Sequence, residues 1–593
     1  MVSIRKWLSL VLYVMLVGAL LAACSSDKGG STTTENPPPS NEQTDTNTPD
    51  DSKETDNPPA AEDGPVDGGT LTFSSFTDIV TINPIFINDT ASSDAAHFLL
   101  AKVYDLAPDG QIVVEPWSLA AELPEISEDS KTYTVKLKPE AKWTDGTPVT
   151  ADDLIYTIET IKNEDTGSPA RSTMEKVAKT EKVDDHTVKI TLSEVFAPFQ
   201  YSLVIELAPA HILKDVPVKK LLDHEYGKDP AKTVTNGPWK WTEWQKTQHL
   251  TFEKDPNYWG ATKPHIDKIV YKIYADQNTE VQALLKGDTD HTSAIPVVQV
   301  EAVKKNSSIT LIQEPGPSYE FIGFNFKEDN FPDKFVPFAT QKTRQAIAYA
   351  LNRQGMVDNV LKGTGVLMNS PFLPGSWADP GDNAVNYEYN PEKAKQLLAE
   401  DGWVLNEKTG ILEKDGKKFS FELEYNAGNS RREAIAQVIQ SNLKEVGIEV
   451  IPKAIDFSIW VPQHLNVGKY QTILLGWSLE DPDPNADSIF SSKFFPPAGQ
   501  NMGWYKNEKL DQLWVDGYST IDQEERKKVY AEIGKEISTD LPYIFLYRYG
   551  NATGIGPRVA YAEEDAPVPT LPKGYFYHVI NGGSSRNVRL LNR

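Results

Sequence analysis

Just after Gly68-Gly69, Leu71 and Phe73 alternate with threonines. The same two-residue period returns in Tyr133, Val135 and Leu137, in Val188, Ile190 and Leu192, and in Ile269, Tyr271 and Ile273. Each run predicts a strand with one buried face. Between the second and third, Thr150 followed three residues later by Asp153 has the form of a capping box, and Leu154, Ile158 and Ile161 continue at helical spacing. Residues 132–192 therefore predict a compact α+β unit. Asn278 is placed to open a helix through Val281, Leu284 and Leu285 that stops at Gly287.

From about residue 317 strands and helices alternate, which predicts an α/β sheet. Residues 319–325 read as a strand bracketed by Tyr319 and Asn325, and 340–353 as a helix carrying Ile347 and Leu351. Asn390-Pro391 starts another helix with proline at its first position. Phe419, Phe421, Leu423 and Tyr425 mark a strand; Ala434, Ile435, Val438, Ile439 and Leu443 line a helix ended by Gly447; Ile448 to Ile451 is the next strand. A helix is predicted over 521–538. From about residue 545 the chain is rich in aromatics, Gly and Pro without a clear period, and predicts no element.

Tyr470 to Asn485 is the stretch with the most chemistry. Thr472 to Leu475 is short, apolar and uninterrupted, as for a strand buried on both faces. Gly476, Trp477 and Ser478 follow, then three carboxylates, Glu480, Asp481 and Asp483, among Pro482 and Pro484. Ligands of open α/β sheets bind outside the carboxyl ends of the strands, so a site is expected there.

With 593 residues, 39% of them hydrophobic, the chain has material for more than one domain. Arg5 and Lys6 precede an apolar run, Trp7 to Leu20, which is short for a membrane span and predicts a secretory leader over 1–23. Cleavage before Cys24 removes two cations and no acid, taking the formal charge from −25 to −27. Residues 25–66 hold ten acids and two lysines among Ser, Thr, Asn and Pro, the composition of a solvated tether. No run of Lys and Arg exists, so nucleic acid is not an expected partner. Cys24 is the only cysteine, which excludes an intrachain disulfide.

Enzyme signatures fail on inspection. Gly476-Trp477-Ser478-Leu479 and Gly316-Pro317-Ser318-Tyr319 begin like nucleophile elbows, but Glu480 and Glu320 stand where glycine is needed. No His-Glu-x-x-His occurs, and Gly410 with Gly416-Lys417 misses the phosphate-loop spacing. Asp481, Asp483, Asn485 and Asp487 have calcium-loop spacing, but Ala486 replaces the turn glycine and Ser492 the bidentate glutamate. No cofactor or metal is expected.

Leu21-Ala22-Ala23-Cys24 resembles the lipobox of bacterial lipoproteins, which implies a diacylglyceryl group on Cys24. Several longer blocks resemble the bacterial extracellular solute-binding proteins of oligopeptide, dipeptide and nickel importers: Leu119 to Glu122, Ser130 to Lys138, Lys142 to Asp153, Thr235-Asn236-Gly237-Pro238-Trp239, Asn257-Tyr258-Trp259, Leu285 to Asp288 and Thr343 to Leu351. The resemblance covers nearly all of 68–545. It implies an α/β, two-lobed periplasmic-binding-protein-like fold (class II, cluster C) with an extra α+β domain. Domain I would comprise 67–104, 200–316 and 546–593, domain II 105–199, and domain III 317–545. A monomer anchored by lipidated Cys24 to the outer face of the cell membrane, at the surface of a single-membrane bacterium, would close by a hinge on a peptide ligand and deliver it to an ABC importer of permease and ATPase subunits. In peptide-binding relatives a carboxylate a few residues after this Gly-Trp meets the ligand's α-ammonium group. Here that position falls on Glu480, a departure from the more usual Asp, with Asp481 next. The resemblance implies backbone contacts from Gly476, Trp477 and Ser478, with Asp78 and Ile79 on the facing edge of lobe I; Tyr319 and Asn325 are hinge or cleft candidates. Alternatives are a non-peptide solute (metal chelate, sugar or opine-like compound) or, in another class, a secreted hydrolase.

Overall fold

The computed structural model describes residues 65–107, 110–261, 263–478, 482–497, 499–561 and 588–591. The leader, Cys24 and the tether lie outside them, as do Glu480 and Asp481.

The strands used below are β1 (Thr70–Ser75), β2 (Thr132–Lys136), β3 (Val177–Lys182), β4 (Thr187–Leu192), β5 (Trp239–Gln245), β6 (His249–Lys254), β7 (Lys268–Ile273), β8 (His291–Thr292), β9 (Thr310–Phe324), β10 (Ser420–Asn426), β11 (Glu449–Ile455), β12 (Thr472–Ser478) and β13 (Tyr543–Ile555). Among the described residues the largest sheet has eleven strands. Its order is β11-β10-β12-β9-β13-β8-β1-β7-β6-β5, with the short strand Val366–Leu367 paired to β13. One half of this sheet, β1 and β5 to β8, is the first lobe; the other half, β10 to β12, is the second. Only β9 and β13 belong to both.

These two long strands explain how the lobes are joined. Their antiparallel register runs from Thr310↔Ile555 to Glu314↔Asn551, then resumes at Ser318↔Tyr549, so residues 315–317 face Gly550 alone. The interrupted segment is Pro315-Gly316-Pro317, in which neither proline has an N–H for a ladder. A break in pairing between two well-paired stretches gives the sheet a place to bend. Before it, Ile309 and Ala552 pack with Val281 and Leu284 of the first lobe. After it, Tyr319 and Phe321 join the large buried cluster that also holds Leu71 and Phe73 of β1, while Ile322 and Phe324 pack with Phe421 and Leu423 of the second lobe. Phe321 stacks on Tyr543 across the two strands, with ring centroids 4.0 Å apart.

The α+β unit forms a separate sheet in which β4 lies between β2 and β3, and Glu125–Ile126 pairs with β2. Helix α1 (Ala151–Lys162) begins at Thr150, whose N–H donates to Asp153 at 2.8 Å. The other oxygen of Asp153 accepts from the Ala210 N–H at 2.8 Å, which ties this unit to the chain beyond it. In the block Thr235 to Trp239, the Asn236 side chain accepts from Ala101 N–H at 2.8 Å and Gly237 N–H donates to the Leu99 carbonyl at 2.9 Å.

Three expectations change. Helix α2 (Gln277–Lys286) is capped by Asp276, which accepts from Thr279 N–H at 2.8 Å, and not by Asn278. The helix expected over 340–353 is two: α3 (Gln341–Ala350) and α4 (Arg353–Asn359), the second capped by Asn352. The aperiodic region after 545 begins inside β13, because both faces of that strand are buried from Tyr543 to Tyr547 and its aromatics at 543, 545, 547 and 549 carry no polar alternation.

A Cβ on Gly237 would stand 2.8 Å from both the carbonyl carbon and oxygen of Leu99, backbone atoms that cannot rotate away. Gly237→Ala should therefore lower unfolding free energy by about 1–3 kcal/mol, read as a lower denaturation midpoint at unchanged slope. An unchanged midpoint would contradict this close approach.

Candidate ligand-binding cleft

Strand β12 stops where the two lobes meet. One of its edges is fully used: Thr472 to Ser478 pair antiparallel with Phe324 to Ser318 of β9. The other edge is used only at its start, by Leu423↔Thr472 and Glu424↔Ile473 of β10. Among the described residues no strand pairs with that edge from Leu474 to Trp477. The run changes there from buried to half-buried, with Gly476, Trp477 and Ser478 all partly exposed. An unpaired strand edge offers alternating N–H and C=O groups to an added chain.

Beside this edge lies a charge cluster that the sequence reading missed. Glu320, in the middle of the shared strand β9, is fully buried. It accepts from Arg431 Nε at 3.0 Å, Arg431 Nη2 at 3.1 Å, Arg432 Nε at 2.7 Å and the Tyr547 hydroxyl at 2.6 Å. Arg432 also donates to Asn426 Oδ1 at 2.6 Å, and the Arg431 guanidinium lies 3.7 Å from the Tyr549 ring centroid. Both arginines open helix α5 (Ser430–Glu445), which Asn429 caps. A helix N-terminus disfavours cations, so tertiary partners must hold them there. Burial pushes the Glu320 carboxyl up, but Arg431 and then Arg432 overturn this and hold it at about 2. Two guanidiniums on one carboxylate leave a net positive charge. A Cβ on Gly476 would be 2.7 Å from the Tyr319 carbonyl and 3.1 Å from Arg432 Nη2, so glycine lets the cluster sit against β12.

The other expected site residues are distributed as follows. Asp483 is buried in a two-pronged pair with Arg526, at 2.6 and 2.8 Å, and this use of its carboxylate removes it from any calcium loop. Asn485 donates to Asp487 at 3.1 Å, and no group of three acidic, His or Cys side chains among the described residues is placed to hold a metal. Asp78 accepts from Trp244 Nε1 at 3.0 Å and from the N–H groups of Thr247 and Ile79 at 2.7 and 2.8 Å; Ile79 itself is core. Tyr319 and Asn325 are fully buried, and Asn325 donates to the Gly468 carbonyl at 3.0 Å. Of the expected set, Gly476, Trp477 and Ser478 share the open end of β12. Two signals pointed to the missed cluster: a glutamate inside the apolar run Tyr319 to Phe324, and adjacent arginines at a helix start.

This sheet, with two lobes on shared strands and an open edge at their junction, defines a two-lobed solute-binding protein. The family model "Bacterial extracellular solute-binding proteins, family 5 Middle" matches residues 114–495, and the chain belongs to this family. Among its relatives, the oligopeptide-binding protein AppA of Bacillus subtilis is 34% identical over 519 residues, covering 87% of this chain and 90% of AppA. The structure of that AppA with a nonapeptide superposes with a TM-score of 0.80 at 31% identity, over 89% of this chain and all of AppA. NikZ of Campylobacter jejuni, solved with Ni(L-His), has a TM-score of 0.71 at 25% identity, over 83% of this chain and 95% of NikZ. No helix of the described residues is long and apolar enough to cross a membrane.

Glu320→Gln should cost about 3–5 kcal/mol at neutral pH, because it leaves the buried Arg432 and the half-buried Arg431 without their anion. The sign with pH follows from the lowered carboxyl. Its contribution is fully present above about pH 4.5, the usual range for a glutamate, and is lost as pH falls toward 2. Denaturation curves should show the gap between wild type and Glu320→Gln closing between those values; a pH-independent gap would contradict the assignment.

Proposed function

We propose that this chain is the substrate-binding subunit of a peptide importer. The observation that carries it is the edge of β12 at Leu474–Trp477, which no strand pairs among the described residues and which matches an extended peptide main chain while making no demand on side chains. The likeness to AppA and to its nonapeptide complex supports the same reading. Glu480, with Asp481 beside it, supplies the anion for the peptide's α-ammonium group, since a cation enclosed without a counter-charge is costly. The lobes close about the break at 315–317. We place domain I at 67–104, 200–316 and 546–593, domain II at 105–199 and domain III at 317–545.

The protein acts as a monomer, held by a lipid on Cys24 at the extracytoplasmic face of the membrane. It hands its ligand to permease and ATPase subunits and cuts nothing itself. Two acyl chains give stable anchoring where one would not.

Native mass spectrometry of the protein without its leader and Cys24, followed by unfolding, should release a ladder of peptides of similar length and mixed sequence. Release of one non-peptide mass, such as a metal chelate, would overturn the peptide assignment. Glu480→Gln should weaken binding of peptides with a free N-terminus by about tenfold and spare N-acetylated ones. Equal losses for both would remove Glu480 from its role.

A further inference from the structure

The two lobes touch at a point that neither the cleft edge nor the shared strands account for. Helix α2 of the first lobe and helix α5 of the second meet by their N-terminal ends, through one buried side chain. Gln277, the first residue of α2, is only 3% exposed. Its Nε2 donates to the Ala294 carbonyl of its own lobe at 3.0 Å. Its Oε1 accepts from the Ser430 N–H at 3.1 Å and from the Ser430 hydroxyl at 3.3 Å, across the lobe boundary. Its backbone N–H donates to the Gly428 carbonyl at 3.2 Å.

The arrangement has a direction. Ala294 is held in a left-handed conformation, φ 58°, within the turn that presents its carbonyl to Gln277. The amide is therefore fixed in the first lobe, with its oxygen toward the second. The first N–H groups of a helix have no partner within it, and Asn429 satisfies the one on Arg432 at 3.0 Å. The N–H of Ser430 is left for a group from outside, and the opposite lobe supplies it. Gly428 makes room: it has φ 80°, and a Cβ there would stand 2.8 Å from the Ala275 carbonyl of the first lobe. The residues after Ser430 are Arg431 and Arg432, which hold Glu320, and Arg432 borders Gly476.

We propose that Gln277 is the closure latch of this protein: a positioning residue that caps helix α5 from the opposite lobe only when the lobes are shut, and so sets how long a captured ligand stays. This rests on the importer reading above. When the lobes part, water takes over the N–H of Ser430, so the latch adds to the lifetime of the closed state without touching the ligand. A contact made after the ligand has entered slows departure and leaves the encounter rate alone. Asn88 of the first lobe makes a further, peripheral contact, donating to Asn466 of the second at 3.2 Å and accepting from Gln500. That pair lies outside the helix caps and does not reach the arginines.

The test is the dissociation and association rates of a nonapeptide from wild type, Gln277→Ala, Ser430→Pro and the double variant, measured by stopped flow. Gln277→Ala should release peptide about tenfold faster with its association rate within about twofold of wild type. Ser430→Pro removes the capped N–H and hydroxyl at the first helical position, where proline is tolerated, and should match Gln277→Ala, with the double variant no faster than either. An unchanged dissociation rate in Gln277→Ala would overturn the latch, as would additive effects in the double variant. A second readout needs no peptide. Cys24 is the only cysteine, so in protein lacking it, dyes placed at Glu243→Cys and Glu449→Cys report the separation of the lobes. Gln277→Ala should raise the fraction of molecules in the open state. If wild type binds no peptide yet this shift is seen, the substrate reading fails and the latch stands; if peptide binds and neither readout moves, the latch alone is wrong.

Discussion

Glu320 sits at full burial in the middle of a strand that serves both lobes, and much of the molecule is arranged to keep its charge there. A lone buried carboxylate would take up a proton, so two guanidiniums and a phenol converge on it. Those guanidiniums come from the start of α5, a poor place for cations. The second lobe is thereby fixed to the shared strand at one angle. The shared strand breaks its pairing a few residues earlier, at Pro315-Gly316-Pro317. Rigid attachment on one side of a flexible joint is what lets a lobe move as a body.

The same cluster shapes the cleft. Because Arg432 lies against Gly476, β12 carries no side chain at that position, and among the described residues no strand pairs with its outer edge from Leu474 to Trp477. An open edge recognises a main chain, which every peptide has, and leaves side chains to be accommodated by space and water. The excess positive charge of the two arginines lies on one wall, where Arg432 meets Gly476. Gln277 then links the wall that carries the arginines to the opposite lobe.

Much of the fold was legible because its strands have one wet face or end at a cap or glycine. The α+β unit, β7, β10, α5 and β12 followed from period and boundary residues alone. What was not legible is instructive. Strand β13 is buried on both faces from Tyr543 to Tyr547 and built from aromatics, so its sequence carries no alternation for a period to detect. The division of helix 340–353 turns on Asn352, whose side chain can either continue a helix or cap the next one; tertiary context decided. In the site, Gly476 to Ser478 were found because a strand end in an open sheet is a general location. Asp483 and Asp78 were placed by type and not by partner: a carboxylate reads the same in sequence whether it meets a ligand or, like Asp483, a buried Arg526. Glu320 lies 111 residues from Arg431 and 112 from Arg432 in the chain, and only the folded sheet brings it to them.

The most direct test of the account is amide hydrogen exchange across Leu474–Ser478 in protein stripped of ligand, with and without added nonapeptide. If the outer edge of β12 binds the peptide main chain, exchange in this segment should slow by about tenfold or more on addition, more than in β5 or β11 at the far edges of the sheet. Saturating peptide binding that leaves exchange at 474–478 unchanged would contradict it.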